Sequence, residues 1–312
     1  MAWMILVAFA VLDAAEAPVP LRNRTFVLFG YVSWWVGAAW TVLVMFCVLG
    51  WLLSGPRVGR RTLGGRFSRP VALVSVTVSI AKVALVGGLV ARELLEGGVV
   101  SVGMLGPVVV FSLCASGVAL LIAVFAFAVL MHELLLVTGW PPPEQTAAMF
   151  FFIGPLGQGA AALLYLGDAV EKSADQAGGG NRGSLPAPAV VQSVNVLCIL
   201  LALFLIGMAA IWLILGFMVV VFRLSRRELE WNPTWNGIVF PVTTMGIATA
   251  QFSIVFHSRF LGILTCSLLI FSAILFIVNF GFTVVHLLGG RLLVVREDRR
   301  LASRVDQNEK SH

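Results

Sequence analysis

Charge is scarce in this sequence, and that scarcity decides its solvent. Only 12% of the residues are Asp, Glu, Lys or Arg, about half the share in ordinary soluble chains, while 59% are hydrophobic. Water cannot wet a folded surface of that composition. Cysteine is also rare: Cys47, Cys114, Cys198 and Cys266 lie singly in apolar runs, with no CxxC pair and no Cys/His cluster. Neither a disulfide framework nor a metal site is expected from them. The chain lacks a Walker loop, HExxH, GxSxG and paired carboxylates within an apolar run. ATP-driven pumping, proteolysis and proton-relay chemistry therefore find no support, and no catalytic residue, metal or cofactor is expected.

What the sequence has in abundance is long apolar runs, at about 26–54, 70–91, 99–137, 148–169, 190–222, 236–257 and 260–289. Each approaches or exceeds the roughly 20 residues that a helix needs to cross a bilayer. In lipid every backbone polar group must be satisfied within its own segment or a closed barrel, and nothing here alternates with period two, so the runs are read as helices. The expected class is an all-α integral membrane protein. A shorter apolar stretch, 1–12, is an eighth candidate, giving seven or eight spans. It lacks a basic flank and a small-residue cleavage site and is not read as a signal peptide.

The net charge is +6, and in a polytopic chain such an excess reports orientation rather than nucleic-acid binding. Fourteen basic residues collect on one side of the runs: Arg57, Arg60, Arg61, Arg66 and Arg69, then Arg223, Arg226 and Arg227, then six more beyond 290. Six fall on the other: Arg22, Arg24, Arg92, Lys172, Arg182 and Arg259. The richer side is expected to be cytoplasmic, which makes residues 1–290 a transmembrane domain and 291–312 a basic cytoplasmic tail. The Gly- and Pro-rich stretch within 171–189 then reads as an outside linker.

Polar groups at membrane depth usually face a bundle interior or an aqueous path. Lys82 lies about midway between Arg69 and Arg92, and Ser75, Ser79 and Lys82 share one helical face suited to an anion path. Snorkelling or an interhelical pairing is the plain alternative. Gly154, Pro155, Gly157, Gln158 and Gly159 form a cluster expected to weaken the helix; Gly154, Gln158, Ala161 and Tyr165 share a face, its small residues either widening a pathway or allowing tight packing. Phe240 and Pro241 sit in the first turns of another span, where the helix is expected to bend, with Thr244, Ala248 and Gln251 along the same side as Phe240. A ring at that place either plugs a narrow pore or belongs to the core or the lipid face. His132, Glu133, Asn195, His257, Asn279 and His286 read as interfacial or as satisfied by neighbouring helices.

The run Phe150-Phe151-Phe152-Ile153-Gly154-Pro155-Leu156-Gly157-Gln158-Gly159, ending at Tyr165-Leu166-Gly167, resembles a signature of the tellurite-resistance/dicarboxylate transporter family. Pro141, Pro142, Pro143 and Glu144, and the stretch from Trp235 to Phe240 and Pro241, match it further. The resemblance implies a ten-helix fold in which odd-numbered helices line a central pore closed by a phenylalanine, here Phe240, commonly in a homotrimer. It implies a plasma-membrane protein moving a small inorganic or carboxylate anion. The Gly-Pro-Leu-Gly-Gln-Gly form resembles the fungal sulfite efflux branch more than the malate branch. On this alignment the span 26–54 is family helix four, the first two helices are absent, and Lys82 lies on an inner helix. Two other classes compete, a seven-helix receptor and a non-transporting membrane subunit. The short inside loops, and the lack of an Asn-Pro-x-x-Tyr motif, argue against the receptor.

Overall fold

The computed structural model describes residues 24–53, 68–96, 102–177, 188–229 and 231–289. Seven helices carry the fold: α1 (Arg24–Leu53), α2 (Ser68–Glu96), α3 (Val102–His132), α4 (Ile153–Ala177), α5 (Pro188–Ser225), α6 (Val239–Val255) and α7 (Arg259–Leu288). Each of the seven long apolar runs becomes a helix long and apolar enough to cross a membrane, and the described residues contain no strand. The eighth candidate at 1–12, much of the arginine-rich loop, most of the glycine-rich linker and the basic tail lie outside the described residues.

The helices sort into two layers. The core of the span ending in α4 is 94% buried and that of α2 83%, against 17% for α7 and 22% for α1. Helix α4 packs between α2 and α6, while α1 and α3 cover α2, α5 covers α4, and α7 covers α6. The outer helices turn Trp40, Phe46, Leu121, Phe204, Phe260 and Ile277 outward. A contiguous apolar exterior of this kind is stable against acyl chains, which solvate it as well as other side chains would.

The three inner helices run parallel and in register. Gly154 of α4 lies against Val78 of α2 and Phe240 of α6. About three turns further on, Tyr165 of α4 meets Gly88 of α2 and hydrogen-bonds Gln251 of α6. Equal steps along all three chains keep matching residues at one depth.

Two inner helices begin as 3-10 segments, Pro143–Phe152 before α4 and Pro233–Ile238 before α6, and these segments pack on each other. The narrower coil gains length. Helix α6 has 17 residues, about 26 Å of rise and short of a bilayer core of roughly 30 Å, and the 3-10 segment at about 2 Å per residue carries the span to about 38 Å, past that thickness. In both cases the coil changes to α geometry two residues before a proline, Pro155 or Pro241, which thus falls in the first helical turn where its missing N–H costs no bond. The Asn232 side chain accepts from Thr234 N at 3.0 Å and donates to Glu144 O at 3.3 Å, tying the two segments together. Trp212 Nε1 of α5 donates to Met149 O at 2.6 Å, a buried bond that ties α5 to the 3-10 segment before α4.

Two local expectations are corrected by this geometry. The Gly/Pro cluster does not interrupt its helix: α4 is continuous through Gly159, and the departure from α geometry precedes it. Pro241 does not sit at a bend within α6, because the α-helix itself starts only at Val239. At the other end of α3, the chain continues past His132 as a π-helical turn, Glu133–Thr138.

Candidate functional site on the inner helices

The two polar stripes read from the sequence on α4 and α6 face each other. A Cβ on Gly157 would come within 2.8 Å of both Met245 N and Thr244 Oγ1, so only glycine allows this backbone approach. The Thr244 hydroxyl donates to Pro241 O at 2.8 Å and lies 3.5 Å from Gly154 O. At Gly157, therefore, the small residue serves packing. Gly154 does something else: its missing side chain leaves a seat for the Phe240 ring, whose Cε1 would stand 3.3 Å from a Cβ there.

Lys82 reaches the same ring from α2. Its Nζ lies 4.9 Å from the Phe240 centroid, and the residue is only 7% exposed. Among the described residues no carboxylate is within ion-pair distance of it. A desolvated ammonium over an aromatic face is worth about 2 kcal/mol, so the contact locates both groups. The ammonium thus turns into the bundle rather than toward a membrane surface. Phe240 is half-buried, neither a lipid-facing ring nor a fully enclosed core ring. Ser75 is exposed and Ser79 half-buried along the Lys82 face, but Ser79 donates its proton to Ser75 O of its own helix at 3.0 Å. Its oxygen, not its hydrogen, is what it presents outward.

Gln158 stands between these contacts and is 1% exposed. Neither its Oε1 nor its Nε2 meets a protein hydrogen-bond partner. Each unsatisfied buried amide atom costs about 1–3 kcal/mol, so the side chain is held there against its own solvation.

Beyond this level the sequence reading missed a polar end. Arg92 of α2 lies 3.9 Å from Asp168 of α4, which Lys172 also meets at 3.0 Å. Gln251 Nε2 donates to Tyr165 OH at 2.6 Å, closing the α4–α6 side. The spacing of Asp168 and Lys172, four apart on a helix, was the available signal. Other polar residues are satisfied nearby: Asn195 donates to Glu171, Asn279 Oδ1 accepts from Trp231 Nε1 at 3.2 Å, and His286 Nδ1 pairs with Phe282 O at 2.9 Å. Among the described residues no group of His, Cys, Asp and Glu is placed to hold a metal ion.

Comparison with known proteins adds an independent line. A family model described as voltage-dependent anion channel, SLAC1, matches residues 1–284. The sulfite efflux pump SSU1 of Trichophyton rubrum is 24% identical over 266 residues, covering 85% of this chain and 65% of that protein. The sulfite efflux pump SSU1 of Arthroderma benhamiae matches to the same extent. The chain thus spans 65% of the length of the curated relatives it matches. No solved structure matches it at the same stringency.

Proposed function

Since the chain belongs to the voltage-dependent anion channel family, the same family that its Gly-Pro-Leu-Gly-Gln-Gly run resembles, we propose that it passes a small anion through a path walled by α2, α4 and α6 and stopped at Phe240. The carrying observation is the Lys82 ammonium at mid-span, buried, without a carboxylate partner among the described residues and seated on the Phe240 ring. A lone positive charge on an inner wall attracts anions and repels cations, and a ring in a narrow apolar passage blocks ions by excluding water. Gly154 gives that ring its seat, and Gly157 and Thr244 hold α4 and α6 close enough to keep it there.

Within this reading the anion is sulfite, moved outward across the plasma membrane. The support is that both relatives are sulfite efflux pumps, together with the form of the Gly-Pro-Leu-Gly-Gln-Gly run. Residues 1–290 act as the transporting domain, the arginine-rich loops and the tail 291–312 face the cytoplasm, and three copies assemble with one pore each. The orientation follows the excess of basic residues on one side.

Flux through proteoliposomes containing the purified chain tests the proposal, with sulfite, malate and nitrate compared beside Phe240→Ala. Sulfite flux above the other two, rising about tenfold or more in the variant as the water-excluding ring is removed, is the expected result. Silence for all three anions in both proteins would reject the path.

A further inference from the structure

Packing accounts for Gly157 and a hydrogen bond for Tyr165, yet Gln158 keeps both ends of its carboxamide away from protein partners while almost fully buried. Its direction follows from its neighbours on α4. Gly154, one turn earlier, lies against Val78 and Phe240, and Tyr165, two turns later, lies against Gly88 and Gln251. Gln158 therefore belongs to the face turned toward both α2 and α6. In the shared register its level is four residues past Val78 and four past Phe240, which are Lys82 and Thr244. The middles of α1, α3, α5, α6 and α7 contain no charged residue, so among the described residues Lys82 is the charged group of this layer; Tyr165, Arg92, Glu93 and Asp168 lie beyond it.

A carboxamide donates through nitrogen and accepts through oxygen. Nitrate, a halide or a fully ionised oxyanion offers acceptors alone and would face the Oε1 lone pairs with negative charge. An oxyanion that keeps one proton answers both atoms, and one ammonium balances its single charge. We propose that Lys82 and Gln158 form a selectivity layer for singly charged, proton-bearing oxyanions, hydrogensulfite among them; this rests on the anion path proposed above. The site would bind oxygen atoms of the anion through Lys82 Nζ and Gln158 Nε2, and take the anion's hydroxyl at Gln158 Oε1.

The test compares sulfite and nitrate flux through the full chain in proteoliposomes, one pH unit below and one above neutrality, where sulfite passes from mainly singly to mainly doubly charged. At equal total concentration, sulfite flux should fall severalfold at the higher pH while nitrate flux holds. The same pair is measured in Lys82→Arg, whose charge does not change over this range, and the sulfite response should persist. Gln158→Met, close in volume but without either polar atom, should lower the sulfite-to-nitrate flux ratio about tenfold, the worth of one or two lost hydrogen bonds. An unchanged ratio in Gln158→Met, or sulfite flux that rises above neutrality, overturns the selectivity layer while leaving the path intact. No flux of either anion, in wild type and in Phe240→Ala, overturns both.

Discussion

Helices α3, α5 and α7 are the most apolar spans of this chain and are mostly exposed, whereas α4 and α6 are the least apolar and lie more deeply within the bundle. A soluble protein sorts its residues the other way, because its outside must satisfy water. Here the outside is solvated by lipid, which gives no hydrophobic reward for burying one helix against another, and the interior is held by close packing and hydrogen bonds instead. Helix α1 departs from the trend, being less apolar than α2 yet mostly exposed, so hydropathy marks the most lipid-facing spans while packing decides the order of the others.

Substitutions that treat the two layers alike are the sharpest way to challenge this contrast. The largest effect is expected at Gly157. Gly157→Leu drives a side chain into the α6 backbone and should cost about 3 kcal/mol or more, read as loss of folded, monodisperse protein in detergent. Gly281→Leu on α7, where nothing lies within 4 Å of the added Cβ, should leave that yield unchanged. Comparable losses at both positions would erase the distinction between layers.

A middle-sized effect is expected at the charge. Lys82→Ala should lower anion flux per folded protein about tenfold, at the lower end of what focused charge contributes to ion capture. Flux equal to wild type would remove Lys82 from the path. The smallest effect concerns the seam between layers. Trp212→Phe keeps the ring but deletes the donor to Met149 O, and should cost about 1–2 kcal/mol of stability in a detergent unfolding series. Trp40→Phe, on the lipid face, should cost nothing measurable.

Much of the fold was legible because the bilayer imposes a length and a continuity on every span, and seven apolar runs became seven helices. The 3-10 segments were not legible. Pro143–Phe152 and Pro233–Ile238 differ from α-helix by one hydrogen-bond register, which leaves no trace in hydropathy. The site was partly legible. Lys82 stands out as a charge at mid-span, and helical spacing put Gly154 with Tyr165 on one stripe and Phe240 with Gln251 on another. Periodicity gives the stripe but not its partner, so nothing in the sequence joined Lys82 to Phe240, or told that Gly157 packs while Gly154 makes a seat. The resemblance placed Lys82 and Phe240 on inner helices, and it was the three-dimensional register that put Gln158 at the level of Lys82.

The parallel course of α2, α4 and α6 gives the inner wall an electrical direction. Peptide dipoles in each helix sum to about half a positive charge at its start and half a negative charge at its end, and three helices pointing the same way add rather than cancel. An ion approaching from the side where these helices begin meets an attractive mouth, and one approaching from the far side meets a repulsive rim. The wall therefore favours one direction of anion approach before any side chain moves.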